Sequence, residues 1–274
     1  MTVTPLPELL YTVQDQVATI TFNRPDRMNG WTPAMERGLR ELVDRAVQDD
    51  DVRVIVLTGA GRAFCAGADI GRLQAAGAAG SSSPPAASSQ ADPPPRDGDF
   101  EQRYSWLLAV PKPVIAAING AVAGVGLCIA LYCDLRYMAA HARLSTSFAR
   151  RGLIAEHGSA WMLPRLIGPM HAADLLLTAR TVDADEAERL GLVRVLPTEG
   201  FAEAVHDKAV ELAIWSSPRS TRIIKGQLAR APFETLAQAT READAQTASC
   251  RDSEDFKEGV ASFVQKRAPR FTGR

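Results

Sequence analysis

The sequence predicts an α/β fold, and three observations carry that prediction. Val17 to Phe22 (VATITF) alternates, with Ala18, Ile20 and Phe22 on one face and Thr19 and Thr21 on the other, which is the period of a half-buried strand. Val52 to Leu57 (VRVIVL) and Val114 to Ile118 (VIAAI) are β-branched and almost wholly apolar, as strands covered on both faces are. Between the first two lies Pro33 to Gln48, where Leu39, Leu42, Val43, Ala46 and Val47 recur at helical spacing.

Local chemistry supports each element in turn. Asn23-Arg24-Pro25 ends the first strand, because proline cannot continue the ladder. Thr32 is placed to cap the helix, with Pro33 at its first position. Strands that alternate with helices imply a parallel, crossover-linked sheet. Gln74 to Asp99, with SSSPPAASS and DPPPRDGD, is Ala, Gly, Ser and Pro and cannot bury enough to order itself. It reads as a mobile surface loop, or alternatively as a linker between two domains. Strand-like segments on both sides favour the loop. After about Gly168 the chain turns helical. His171 to Thr178 is one candidate, and Asp183, with Glu186 three residues on, opens another through an acidic capping box. Phe201 to Trp215, Arg219 to Arg230, Thr235 to Ser249 and Glu254 to Lys266 follow. The expected organisation is a mixed core over 1–200 and a helical region over 201–274.

Composition narrows the function. The 274 residues are 46% hydrophobic and 23% charged, with a net charge of −1, so no field draws the chain to nucleic acid or an anionic membrane. Cys65, Cys128, Cys133 and Cys250 form no CxxC pair and no zinc spacing, which argues against a bound metal and for a reducing compartment. MTVTPLPELLYTV lacks a basic region followed by an apolar core, and no run reaches the roughly 20 apolar residues that cross a bilayer. A cytoplasmic location is expected.

Two glycine-rich loops follow buried strands: GAGRAFCAGAD (Gly59 to Asp69) and NGAVAGVG (Asn119 to Gly126). Small residues let a ligand reach the backbone, and two such loops on adjacent parallel strands could aim two amides at one oxygen, as an oxyanion hole does. Each loop alone is equally a tight turn. Gly124 and Gly126 suggest a dinucleotide motif, but Ile129 stands where its third glycine belongs, and the GK[ST] of a phosphate loop is absent.

Taken together, ITFNRPDRMNGW, VIVLTGAGRAFCAGADI, PVIAAINGAVAGVG, CDLRY, LPRLIG, TVDADEAERLGLV and DFKEGVASFVQKRAPRF resemble the enoyl-CoA hydratase/isomerase (crotonase) superfamily over nearly the whole chain. The resemblance implies a spiral of ββα units with a helical C-terminal region used for oligomerisation and CoA contact. It also implies an acyl-CoA thioester substrate, no cofactor, no metal, and a homotrimer or dimer of trimers. The family's two oxyanion amides fall on Ala68 and on Val125, where glycine is usual. Ala66 and Arg27 match positions facing CoA, and so do Phe263 and Lys266, in relatives often from a neighbouring subunit. Lys266 is otherwise a solvated helix end.

Family hydratases use two glutamates, since adding water across C=C requires one group for the water and one for the α-carbon proton. The resemblance places those positions on Cys128 and Phe148, which cannot do carboxylate work. Cys128 then reads as a small core residue and Phe148 as a wall of the acyl pocket. Family Δ3,Δ2-enoyl-CoA isomerases use a single carboxylate in a stretch similar to GLIAEHG, which points to Glu156. Without the resemblance, Glu156 reads first as the acidic start of a helix. Leu153, Ile154 and Trp161 would dehydrate it and favour its protonated form, which suits a proton shuttle. His157 stands where glycine is usual and could hydrogen-bond Glu156. The competing readings are a hydratase, a non-catalytic acyl-CoA binder, and a hydrolase using Ser159 or Ser145 with His157, which no GxSxG elbow supports.

Overall fold

The computed structural model describes residues 7–69, 71 and 98–274. The loop expected over 74–99 therefore lies almost wholly outside the described residues. A six-stranded sheet runs in the order β1 (Leu9–Gln14), β2 (Val17–Phe22), β3 (Val54–Gly59), β5 (Val114–Ile118), β7 (Leu135–Ala139), β10 (Arg194–Leu196). All its pairs are parallel except the β1–β2 hairpin. A smaller sheet holds β4 (Ala63–Cys65), β6 (Ala121–Ala123), β8 (Arg143–Ser145) and β9 (Val182–Asp183).

The two sheets are built from one repeated unit. β3 and β4, β5 and β6, and β7 and β8 are consecutive strand pairs, the first strand entering the large sheet and the second the small one. This is the expected spiral of ββα units. In β2, Ala18, Ile20 and Phe22 are buried and Thr19 and Thr21 are half-buried, as the alternation requires. α1 (Pro33–Gln48) buries Leu39, Leu42, Val43 and Ala46, and Thr32 Oγ1 accepts from the Met35 amide at 3.1 Å.

The short helix α2 (Val125–Leu131) leaves β6 and is buried at every residue. Later come α3 (Ser159–Ile167), α4 (Pro169–Thr178), α5 (Ala184–Arg189), α6 (Phe201–Trp215), α7 (Pro218–Arg230), α8 (Leu236–Arg251) and α9 (Glu254–Gln265). Thr235 and Gln238 form a reciprocal capping box at α8. α7 is tied to the sheet by Lys225, whose ammonium, almost fully buried, donates to Asp134 Oδ2 at 2.7 Å and to the Lys112 carbonyl at 3.1 Å. Among the described residues, no helix is long and apolar enough to cross a membrane.

Candidate active site

The first loop is held open by side-chain amides. Asn29, fully buried, donates to the Ala60 and Ala63 carbonyls, and Asn119 Oδ1 accepts from the Gly59 amide. After β4, Ala66 donates to the Met28 carbonyl, Trp31 donates to the Gly67 carbonyl at 2.9 Å, and Asp69 donates to the Trp31 carbonyl at 3.3 Å. In a parallel bridge of this kind the intervening residue turns its own amide the other way. That residue is Ala68, and among the described residues nothing accepts its N–H.

The second loop ends at Gly124, at φ +51° and ψ −121°, a conformation that excludes side chains. Val125 is the first residue of α2, so its amide is one of the orphan donors of a helix start. Its side chain belongs to the hydrophobic core. The loops abut: a Cβ built on Gly124 would lie 3.6 Å from Gly67 Cα, and one on Gly126 would lie 2.2 Å from the Cys65 carbonyl oxygen.

Glu156 lies in the turn between a short 3-10 turn (Ala149–Arg151) and α3. It precedes Gly158, which caps α3, so it is not in the helix's first turn, and its carbonyl accepts from the Ser159 amide at 3.0 Å. Its side chain is 37% exposed. The dehydration expected from Leu153 and Ile154 is not present in the single chain: they are 40% and 80% exposed, because the turn at Gly152 directs them to the surface.

The groups beside Glu156 come from α2 and from its own turn. Cys128 Sγ lies 3.6 Å from the Glu156 carbonyl oxygen, and Tyr132 Oη donates to the His157 carbonyl at 2.8 Å. His157 Nε2 stands 3.8 Å from Glu156 Oε2, longer than a hydrogen bond, and its ring meets the edge of Tyr104 at 5.1 Å. Burial, with the nearby Arg103 charge, lowers His157 to about 4, so the imidazole is neutral at pH 7. Burial first, then the Glu156 charge, pushes the Cys128 thiol up to about 12. Burial and Cys128 raise the Tyr132 phenol to about 12.

The remaining candidates divide into two groups. Phe148 is buried, its carbonyl accepting from the Arg151 and Leu153 amides. Trp161, on the first turn of α3, stacks on Phe233 at 5.4 Å and carries the Arg165 guanidinium over its face. Ala66 is half-buried at the first loop, and exposed Arg27 lies close enough for its charge to reach Asp69. Phe263 and Lys266 are on or just past α9, and among the described residues no hydrogen bond, ion pair or ring contact joins them to either loop. Sequence reasoning did not single out Tyr132 or Gly158. Their signals are the four-residue spacing from Cys128 to Tyr132 and the glycine that directly follows His157.

The family model described as enoyl-CoA hydratase/isomerase matches residues 12–274. The chain belongs to that family. The 1,2-epoxyphenylacetyl-CoA isomerase of Escherichia coli is 34% identical to this enoyl-CoA hydratase/isomerase family member over 274 residues, covering 97% of this chain and 98% of its own. A Rhodobacter capsulatus protein named "Probable enoyl-CoA hydratase" is 35% identical, covering 96% and 97%. The crystal structure of a "probable enoyl-CoA hydratase/isomerase" from Mycobacterium abscessus superposes with a TM-score of 0.85 at 32% identity, covering 97% and 99%. Family membership makes the chain an enzyme of the hydratase/isomerase class.

Proposed function

We propose that the protein shifts the double bond of an enoyl-CoA thioester from C3–C4 to C2–C3, with Glu156 as its only proton carrier. The Glu156 carboxylate takes a proton from C2, and the electron pair delocalises onto the thioester oxygen as a dienolate. The same carboxyl returns the proton at C4, so no water is added and no redox partner is required. The Ala68 and Val125 amides would meet the oxygen's developing charge, and removing one such donor typically costs about 2.7–4 kcal/mol.

The observation that carries this reading is the make-up of the cluster around Glu156: the Cys128 thiol and the Tyr132 phenol bond to the Glu156 and His157 carbonyls, and the His157 imidazole stands 3.8 Å from the Glu156 carboxylate. Glu156 is left as the carboxylate in this cluster, and a single carboxylate suits proton return better than hydration. Arg27 and Ala66 are assigned to CoA. Phe263, 84% exposed in the single chain, and Lys266 are assigned to the CoA of a neighbouring subunit in a homotrimer or dimer of trimers.

A second reading, hydration of 2-enoyl-CoA, is favoured by the names of several relatives. One experiment separates the two. Purified protein is offered 3-enoyl-CoA and 2-enoyl-CoA, alongside Glu156→Gln. The expected result is isomerisation that falls by roughly 10²–10⁴-fold in the variant while CoA thioester binding persists. Conversion of 2-enoyl-CoA to 3-hydroxyacyl-CoA supports hydration instead, and binding without turnover of either supports a non-catalytic binder.

A further inference from the structure

We propose that Cys128, in α2, and Tyr132, at its C-cap, are positioning residues that hold the Glu156–His157 turn to the helix whose first amide is that of Val125. The inference rests on the reading of Glu156 as the proton carrier. It explains what stands at position 128, where the family's hydratases have an acid–base group.

Residues four apart lie one above the other on a helix. Cys128 and Tyr132 have that spacing and both are buried. The thiol points at the Glu156 carbonyl and the phenol at the next one, so two consecutive peptide units are tied to one helix face. Burial keeps both groups protonated and therefore able to donate.

The turn needs holding. His157 and Gly158 are successive left-handed residues, at φ +53° and +74°, and such a conformation is costly for a residue with a side chain unless its surroundings enforce it. The same bend swings the His157 ring back to the Glu156 carboxylate. Gly158 completes the fit: a Cβ there would lie 2.3 Å from the Tyr132 hydroxyl oxygen. Catalytic geometry that is loose by about 1 Å can lose two orders of magnitude in rate, so fixing this turn to the helix that supplies an oxyanion amide has a kinetic consequence.

The test compares Tyr132→Phe, Cys128→Ser and Cys128→Ala with Glu156→Gln in steady-state isomerisation, and follows hydrogen exchange over 153–160. Tyr132→Phe removes one hydrogen bond and should lower kcat about three- to tenfold with KM unchanged. It should also speed exchange of the Ser159 amide by a similar factor. Cys128→Ser keeps a donor and should retain more kcat than Cys128→Ala. Wild-type kcat in Tyr132→Phe beside an inactive Glu156→Gln overturns the positioning role and leaves the proton carrier in place. Full activity in Glu156→Gln removes the proton carrier and the positioning role with it. Unaltered Ser159 exchange in Tyr132→Phe overturns the proposal whether or not the substrate offered is turned over.

Discussion

Gly126→Ala tests whether the α2–β4 contact sets the geometry of the Ala68 and Val125 amides proposed as the oxyanion hole. The new methyl carbon would start 2.2 Å from the Cys65 carbonyl oxygen and 2.7 Å from Cys65 Cβ. Ordinary contact begins near 3.4 Å, so α2 and β4 must separate by about 1.2 Å, since neither obstacle is the end of a flexible side chain. Helix propensity opposes this by up to about 1 kcal/mol in favour of alanine. Overpacking costs about 1–3 kcal/mol, so the clash prevails and Tm should drop by a few degrees. The larger effect is on rate. Separation moves the Val125 amide away from Ala68 by a distance comparable to the tolerance of a hydrogen bond, and losing one donor lowers kcat by about 10²–10³-fold. Steady-state kinetics on 3-enoyl-CoA, with thermal melts on the same preparation, read both effects. A folded variant whose kcat is within twofold of wild type refutes the argument. Lost stability with unchanged kcat would show that the contact packs the core without setting the amides.

Two further perturbations probe the surroundings of the site. His157 has a folded pKa of about 4, below its ordinary 6.5, so the unfolded chain takes up a proton first as pH falls. Its contribution is complete above about pH 6.5 and is lost towards pH 4. The gap corresponds to about 3 kcal/mol, or about 2 after allowance for an 18% exposed side chain. Urea unfolding at pH 7 and 4.5 should show that loss in the wild type and not in His157→Gln, and equal slopes would reject it. Lys225→Met leaves the Asp134 carboxylate without its buried partner and should cost about 3 kcal/mol in denaturant unfolding, whereas a cost under 1 kcal/mol would show that solvent reaches Asp134.

The elements with strong periodicity were legible and the short ones were not. Pro33–Gln48, Val114–Ile118 and Phe201–Trp215 sit where their patterns place them. The VRVIVL strand starts at Val54, because the Val52 amide still bonds to the Asp49 carbonyl at the end of α1 and the Arg53 amide bonds to the Gln16 carbonyl. The three-residue strands AFC, AVA and RLS carry no period, since three residues cannot show alternation. They are strands because the large sheet delivers them side by side. α3 was legible only as the alternative in which Glu156 opens a helix; the helix begins later, at Ser159 after the Gly158 cap, and runs through Pro164. In the candidate site, the small-residue loops were legible because amide donors need bare backbone. The environment of Glu156 was not. Its sequence neighbours Leu153 and Ile154 turn to the surface, and the groups that enclose its turn come from α2 and from Tyr104, which only the fold brings near.

With Glu156 as the proposed proton carrier, a cysteine at position 128 fits the same geometry. Burial, and after it the Glu156 charge, raises the Cys128 thiol. A carboxylate at that point would sit beside a second one, and like charges so close cannot both ionise without one being raised strongly. Two-group chemistry exploits that coupling. The one-group chemistry proposed above does not, because a lone shuttle would accept a proton from C2 and surrender it at C4 without a neighbour competing for it. The Cys128 and Tyr132 hydrogen bonds to the Glu156 and His157 carbonyls then fix where the proposed proton carrier sits.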